Sequence, residues 1–337
     1  MNIGTSARRL ATILGLVAAL VVSGVSVSEA QQINPTTESV TEDALFEQLQ
    51  GDDYVAGRVS IPDANSARLI KPGNKGWADT HTGTVRFLSI AAVVGAIAVL
   101  AVFYLIRGRI RVDAGMSGIR ILRFSGIERF AHWLMAGSFI VLALTGLNLV
   151  LGRTIILPWL GDGAFSTLST WGKVAHNFVG WAFMLGLILS FLVWVAHNIP
   201  NKVDAEWIAQ GGGLLKKGVH PPARKFNAGQ KLIFWSVTLG GAALSFTGFM
   251  LLFPAIAGNQ VDWQFYQLIH GLVAAALSFV IIAHIYIGSV GMEGAFDAMG
   301  SGEVDLNWAK EHHSLWVEEV SKDPAYAPHP KGTQPAE

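Results

Sequence analysis

The chain has 337 residues, 51% of them hydrophobic and only 14% charged, well below the roughly 25% charged residues of an ordinary soluble domain. Its 24 basic and 24 acidic residues cancel, and no basic block is interleaved with aromatics, so nucleic acid is not an implied partner. There is no cysteine, which excludes disulfides, thiolate-held iron–sulfur clusters and haem attached through Cys-x-x-Cys-His, and leaves histidine, methionine or oxygen to hold any redox centre.

In chain order, residues 1–30 combine a short basic start at Arg8 and Arg9, an apolar run from Leu10 to Val27, and the small residues Ser28 and Ala30. This is the pattern of a secretory signal cleaved after Ala30, with an uncleaved anchor as the competing reading. Cleavage places the mature N-terminus outside the cytoplasm. Residues 31–86 are polar, carry Pro35, Pro62 and Pro72, and show no sustained periodicity. They read as an extended periplasmic arm with one amphipathic piece, Thr41–Gln50, serving as linker or as a grip on a peripheral partner.

Five apolar runs follow: Phe87–Ile106, Phe130–Leu151, Val174–Val195, Leu232–Phe253 and Gln267–Val290. Each has the ~20 residues that a bilayer-crossing helix needs. The expected fold is an all-α membrane protein: a transmembrane bundle of four core helices (130–291), one extra N-terminal transmembrane helix (87–106), and a cytoplasmic linker between them (107–129). Gly240, Gly241, Ala242 and Ala243 in the fourth run allow close helix contact. The first-to-second connection carries Arg107, Arg109, Arg111, Arg120, Arg123 and Arg129, and the third-to-fourth carries Lys202, Lys216, Lys217, Arg224, Lys225 and Lys231. The other two connections hold only Arg153 and Lys173, so the basic connections and the tail (292–337) are expected in the cytoplasm. The tail ends in a Pro-containing stretch expected to be disordered, and His312 and His313 are expected to be solvated.

Histidines inside apolar runs are costly and mark function by default. His270 and His284 are 14 residues apart, close to four turns, so they share one helix face about 21 Å apart along the axis. With the helices threaded as above, His176 falls at the outer depth of His270, and His132 at the inner depth of His284. Two bis-histidine pairs stacked across a membrane suit two b-type haems, whose irons take neutral imidazoles at both axial positions. A zinc site more usually gathers three or four ligands at one depth. Gly137, Gly180, Gly271 and Gly288 are expected to let a flat ring approach the backbone, and His81, His197, His220 and His329 are left as surface or interfacial residues.

Arg123 to Val317, through RFSGIERFAHW, TGL at 145–147, KVAHNFVG, AHNIPNK, KFNAGQKLIFWS, QLIHG, HIYIGS and WAKEHH, resembles the gamma subunit, cytochrome b, of membrane-bound formate dehydrogenase. The resemblance implies a periplasmic haem at His176 and His270 and a cytoplasmic haem at His132 and His284. It also implies a quinone site beside the latter, at Asn227, Gly229, Gln230 and His284; an ordinary helix start with Asn227 as N-cap is the competing reading there. The implied partners are a periplasmic iron–sulfur (beta) subunit, a molybdopterin catalytic (alpha) subunit, quinone and membrane lipids, in a bacterial inner membrane. Electrons are expected to pass from the iron–sulfur subunit through the two haems to quinone, and formate itself is oxidised elsewhere. Arg129 and Arg153 are candidates for haem propionates or simple interfacial charges. A cytochrome b of a hydrogenase or another respiratory oxidoreductase stays open, as does a haem-free transporter or scaffold.

Overall fold

The computed structural model describes Trp77 and residues 79–214, 216–258 and 260–332. The signal segment and the arm up to residue 76 lie outside the described residues. The end of the arm is not extended: Asp79–Val85 forms a π-helical turn that runs directly into the first long helix.

The helices are α1 (Arg86–Arg107), α2 (Gly126–Ile155), α3 (Leu157–Trp194), α4 (Lys202–Ala209), α5 (Ala228–Leu252) and α6 (Gln260–Tyr286), with α7 (Asp297–Gly300), α8 (Leu306–His312) and α9 (Ser314–Val320) after them. Among the described residues five, α1, α2, α3, α5 and α6, are long and apolar enough to cross a membrane. They hold the five apolar runs, except that the third and fourth runs end one residue past α3 and α5 and the fifth continues past α6 into the π-helical stretch Ile287–Gly291.

Their starts are set by local chemistry. At α2, Ser125 Oγ accepts from the Glu128 backbone N–H and Glu128 Oε2 accepts from the Ser125 N–H at 2.8 Å, a reciprocal capping box that satisfies two otherwise orphan donors. Asn201 with Asp204 at α4, and Asn227 with Gln230 at α5, repeat the device. A single residue, Ile156, separates α2 from α3, and Gly161, at φ 72°, breaks the helix in the first turns of α3.

Helix α2 packs along α3, α5 along α6, α3 against α5, and the added helix α1 along α6. The crossing of α2 and α3 needs glycine: a Cβ at Gly186 would stand 2.7 Å from the Met135 backbone nitrogen. On α5, a Cβ at Gly240 would stand 2.9 Å from Leu277, and one at Gly241 3.1 Å from Leu187. These small residues serve helix contacts within the chain.

The connection after α1 and the tail are not independent loops. Strand β1 (Ile119–Leu122) lies between β2 (Glu303–Asp305) and β3 (His329–Pro330) in a small antiparallel sheet, with Ile121 opposite Val304 and Ile119 opposite Pro330. The expected all-α membrane bundle stands, with this small sheet at one end of it, and the expectation of a disordered tail end gives way to a folded cap through Gly332. Ile121, Phe124, Trp194, Phe226, Val304, Trp308 and Trp316 form its buried core. The core joins the start of α2, the end of α3 and the start of α5 to the tail.

Two histidines expected at the surface belong to this cap. His313 is 1% exposed; its Nδ1–H donates to the Arg224 carbonyl at 2.7 Å and its Nε2 accepts from Arg123 Nη2 at 3.0 Å. Burial, and then the Arg123 cation, push the His313 imidazole well below its ordinary range, so it stays neutral as that bonding requires. His329 is buried in β3. His312, also expected to be solvated, is only partly exposed; burial and then the neighbouring His220 hold it down to about 4. Arg123 itself is buried between the rings of Phe124, Trp308 and Trp316, 5.1, 5.4 and 5.1 Å from the guanidinium carbon. Burial lowers it to about 9 while Glu128 opposes the shift, so it remains a cation at pH 7.

Candidate functional site: two histidine pairs

His132 lies in the second turn of α2, whose direction is set by the Ser125–Glu128 box and by Glu128 itself. Glu128 Oε1 accepts from Trp194 Nε1 at 2.9 Å and from Lys225 Nζ at 2.6 Å, tying the starts of α2 and α5 to the end of α3. His284 stands in the last turn of α6, just before the π-helical stretch Ile287–Gly291. The structure brings His132 and His284 together with ring centroids 6.3 Å apart. Trp133 and Trp194 flank His132 at 5.1 and 6.4 Å.

At the far end of the bundle, His176 of α3 meets His270 of α6, with ring centroids 6.2 Å apart. All four rings are half-buried. His197, just past α3, is exposed and takes no part.

The spacing tests what the pairs can hold. Two imidazoles bound to one metal ion from opposite sides, with metal–nitrogen bonds of about 2.0–2.1 Å and ring centres ~1.2 Å behind each nitrogen, stand ~6.4 Å apart, centre to centre. Both pairs match that separation. Among the described residues no group of three or more His, Asp or Glu could hold a metal ion, so each end offers two imidazoles and no zinc-type cluster. These residues fit bis-histidine haem.

The far pair is further shaped by Thr145 and Thr247, whose hydroxyl oxygens lie 2.8 Å from His176 Nδ1 and 2.9 Å from His270 Nδ1. The glycine after each threonine lies beside the ring: a Cβ at Gly146 would stand in ordinary contact, 3.5 Å from His176 Cε1, and one at Gly248 in a tighter one, 3.3 Å from His270 Cε1. Sequence reasoning used Thr-Gly at 145–147 only as part of a resemblance and missed its counterpart at 247–248. The repeat Leu-x-x-Thr-Gly, Leu142–Gly146 and Leu244–Gly248, was the available signal.

Of the glycines expected to face a ring, Gly137, Gly180 and Gly288 would bring a Cβ near no protein atom within 4 Å. Gly271 is different: a Cβ there would stand 2.7 Å from Val85 Cγ1, so it admits the start of α1. Arg129 donates to the Gly300 carbonyl at 2.8 Å and pins the tail to α2. Arg153 is exposed and, with Lys173 and Asn177, lines a cavity of about 840 Å³ at the far end.

Asn227 is the N-cap of α5. Its Oδ1 accepts from the Gln230 N–H at 2.9 Å, and Gln230 Oε1 accepts from the Asn227 N–H at 3.1 Å. Both amide oxygens are thus engaged in capping, which leaves Asn227 Nδ2 and Gln230 Nε2 as the groups able to donate outward. Gly229 lies against an indole: a Cβ there would stand 2.9 Å from Trp207 Cη2.

The profile of the prokaryotic cytochrome b561 family matches residues 123–302, the stretch from the buried Arg123 to the turn before β2. The cytochrome b556(Fdn) subunit of nitrate-inducible formate dehydrogenase from Escherichia coli is 33% identical over 207 residues, covering 60% of this chain and 92% of that protein. The formate dehydrogenase cytochrome b556(fdo) subunit of the same organism is 30% identical over 204 residues, 60% of this chain and 94% of its own. The formate dehydrogenase cytochrome b556 subunit of Haemophilus influenzae is 28% identical over 205 residues, 59% of this chain and 83% of its own. Helix α1 falls outside the family match. With its five apolar helices, the chain is a multi-pass membrane protein that belongs to the prokaryotic cytochrome b561 family, among the formate dehydrogenase cytochrome b subunits.

Proposed function

We propose that this chain anchors a respiratory formate dehydrogenase in the bacterial inner membrane and conducts electrons inward across it. The carrying observation is the pair of imidazoles at each end of one bundle, spaced for a single iron. His176 and His270 would hold one haem b at the periplasmic end, and His132 and His284 a second at the cytoplasmic end. Haem supplies a one-electron iron couple when bound. The end with His176 and His270 receives electrons from a periplasmic iron–sulfur subunit, itself fed by a molybdopterin catalytic subunit. The end with His132 and His284 delivers them to quinone, with protons drawn from the cytoplasm. Carrying an electron inward against the membrane potential costs about 2.3 kcal/mol per 100 mV, which a donor as reducing as formate can supply. The chain does not oxidise formate itself, since it has no cysteine to ligate a cluster.

The direct test is pigment analysis of the purified chain. Two haem b per polypeptide are expected, with two separable components in the alpha band. One haem, or none, overturns the two-pair reading and, in the second case, reinstates a haem-free scaffold.

Near the cytoplasmic end we place quinone beside Asn227, Gly229, Gln230 and His284, with Asn227 Nδ2 as the donor to a quinone carbonyl. Asn227→Ser separates this from capping, because serine caps a helix about as well as asparagine. Losing one hydrogen bond worth about 0.5–1.5 kcal/mol should raise the KM for quinone by roughly 2–13-fold with haem content and thermal stability unchanged. Unaltered quinone kinetics remove Asn227 from the site.

A further inference from the structure

Threonine hydroxyls engage both rings of one histidine pair and neither ring of the other. Thr145 Oγ1 also lies 2.7 Å from the Val141 carbonyl, and Thr247 Oγ1 2.7 Å from the Ala243 carbonyl, each four residues earlier. A hydroxyl has one proton; donated to that carbonyl, it leaves the oxygen only an acceptor toward the imidazole. The carbonyls of Leu142 and Leu244 lie 3.1 and 3.3 Å from the same two hydroxyls, and a carbonyl can only accept. Nδ1 therefore carries the ring proton in His176 and in His270, and Nε2 keeps its lone pair for a metal.

The other pair is built without this support. His132 Nδ1 is buried with no hydrogen-bond partner, and among the described residues no hydrogen bond engages the His284 ring. An acceptor on Nδ1–H makes an imidazole a more basic ligand. A more basic axial ligand favours ferric over ferrous iron, and so lowers the reduction potential.

We propose that Thr145 and Thr247 are positioning residues that hold the haem between His176 and His270 at a lower potential than the haem between His132 and His284. The inference rests on the reading of both pairs as haem ligands. An electron leaving Fe(II) at the threonine-supported pair then reduces Fe(III) at the unsupported pair downhill, which favours the inward direction. Two helices supply the same Leu-x-x-Thr-Gly device to the two ligands of one iron, so the effect is doubled at that end and absent at the other.

The experiment is a potentiometric titration of the alpha band in the purified complex containing both haems. His270→Ala first identifies the far component as the one that vanishes; it should be the lower-potential one. Thr145→Val and Thr247→Val, which keep the side-chain shape, should each raise that component and leave the other in place, with the double variant raising it further. A tenfold change in the ferric-to-ferrous preference reads as ~59 mV for one electron. Thr145→Ser and Thr247→Ser, which retain the hydroxyl, should restore the wild-type value, and should restore the haem if valine costs its binding. Potentials that do not move in variants with both haems present overturn the inference, as does a far component that proves the higher of the two. Retention of both haems in His270→Ala overturns the ligand reading instead, so the two failures are distinguishable.

Discussion

His270→Ala is expected to abolish electron delivery to quinone, by more than about 100-fold, while formate oxidation by the complex with an artificial acceptor persists. His270 is one of two imidazoles whose ring centroids stand 6.2 Å apart at the far end of the bundle, and the described residues offer no metal-binding cluster to take its place. Removing one ring leaves iron with a single protein ligand, so one haem should be lost. The alpha band should fall by about half, with the component at His132 and His284 intact, because that pair lies about 21 Å away along α6. A variant that keeps both haems, or keeps quinone turnover, would defeat the assignment. His176→Ala should match it in both readouts, since the two residues are halves of one site.

Glu128→Ala is the substitution away from the histidines with the largest expected effect. The carboxylate is buried and accepts from the Ser125 N–H and Oγ, from Trp194 and from Lys225. Its loss opens the cap of α2 and strands the Lys225 ammonium, which is itself largely buried at 16% side-chain exposure. Breaking a buried pair by removing one partner costs about 3–5 kcal/mol. In detergent the melting temperature should drop by on the order of 10 °C for a domain of this size. His132 sits one turn beyond Glu128, so the haem at that end should be lost before the one at His176 and His270. A melting temperature within a degree or two of wild type would show that the carboxylate is not the junction among α2, α3 and α5. Pairing Glu128→Gln with Lys225→Met should recover much of the loss, because no buried charge is then left without a partner.

The four histidines were legible because ionisable side chains in apolar runs are anomalous, and a 14-residue spacing is interpretable without a structure. Which rings meet followed from threading alone, since helices that cross in alternate directions leave one partner at each depth. The N-cap at Asn227 was visible for a similar reason: it is local, and four residues, Asn227 to Gln230, contain the whole device. Thr145 and Thr247 were not legible in this way. A threonine in an apolar helix ordinarily bonds back to its own carbonyl, and nothing along the chain shows that an imidazole from another helix shares the oxygen. The cap was hidden for a different reason. Its strands are only two to four residues long, too short for periodicity to register, and β1 pairs with segments about 180 to 210 residues away.

From the sequence alone came the class of the molecule, its crossings and the identity of the imidazoles, because those depend on apolar length and on residues out of place in it. Tertiary structure alone decided that the tail folds into a buried cap around Arg123 and His313, and that two threonines orient one histidine pair and not the other. Burial and hydrogen bonding between distant segments are properties of the packed chain, and a linear pattern does not carry them.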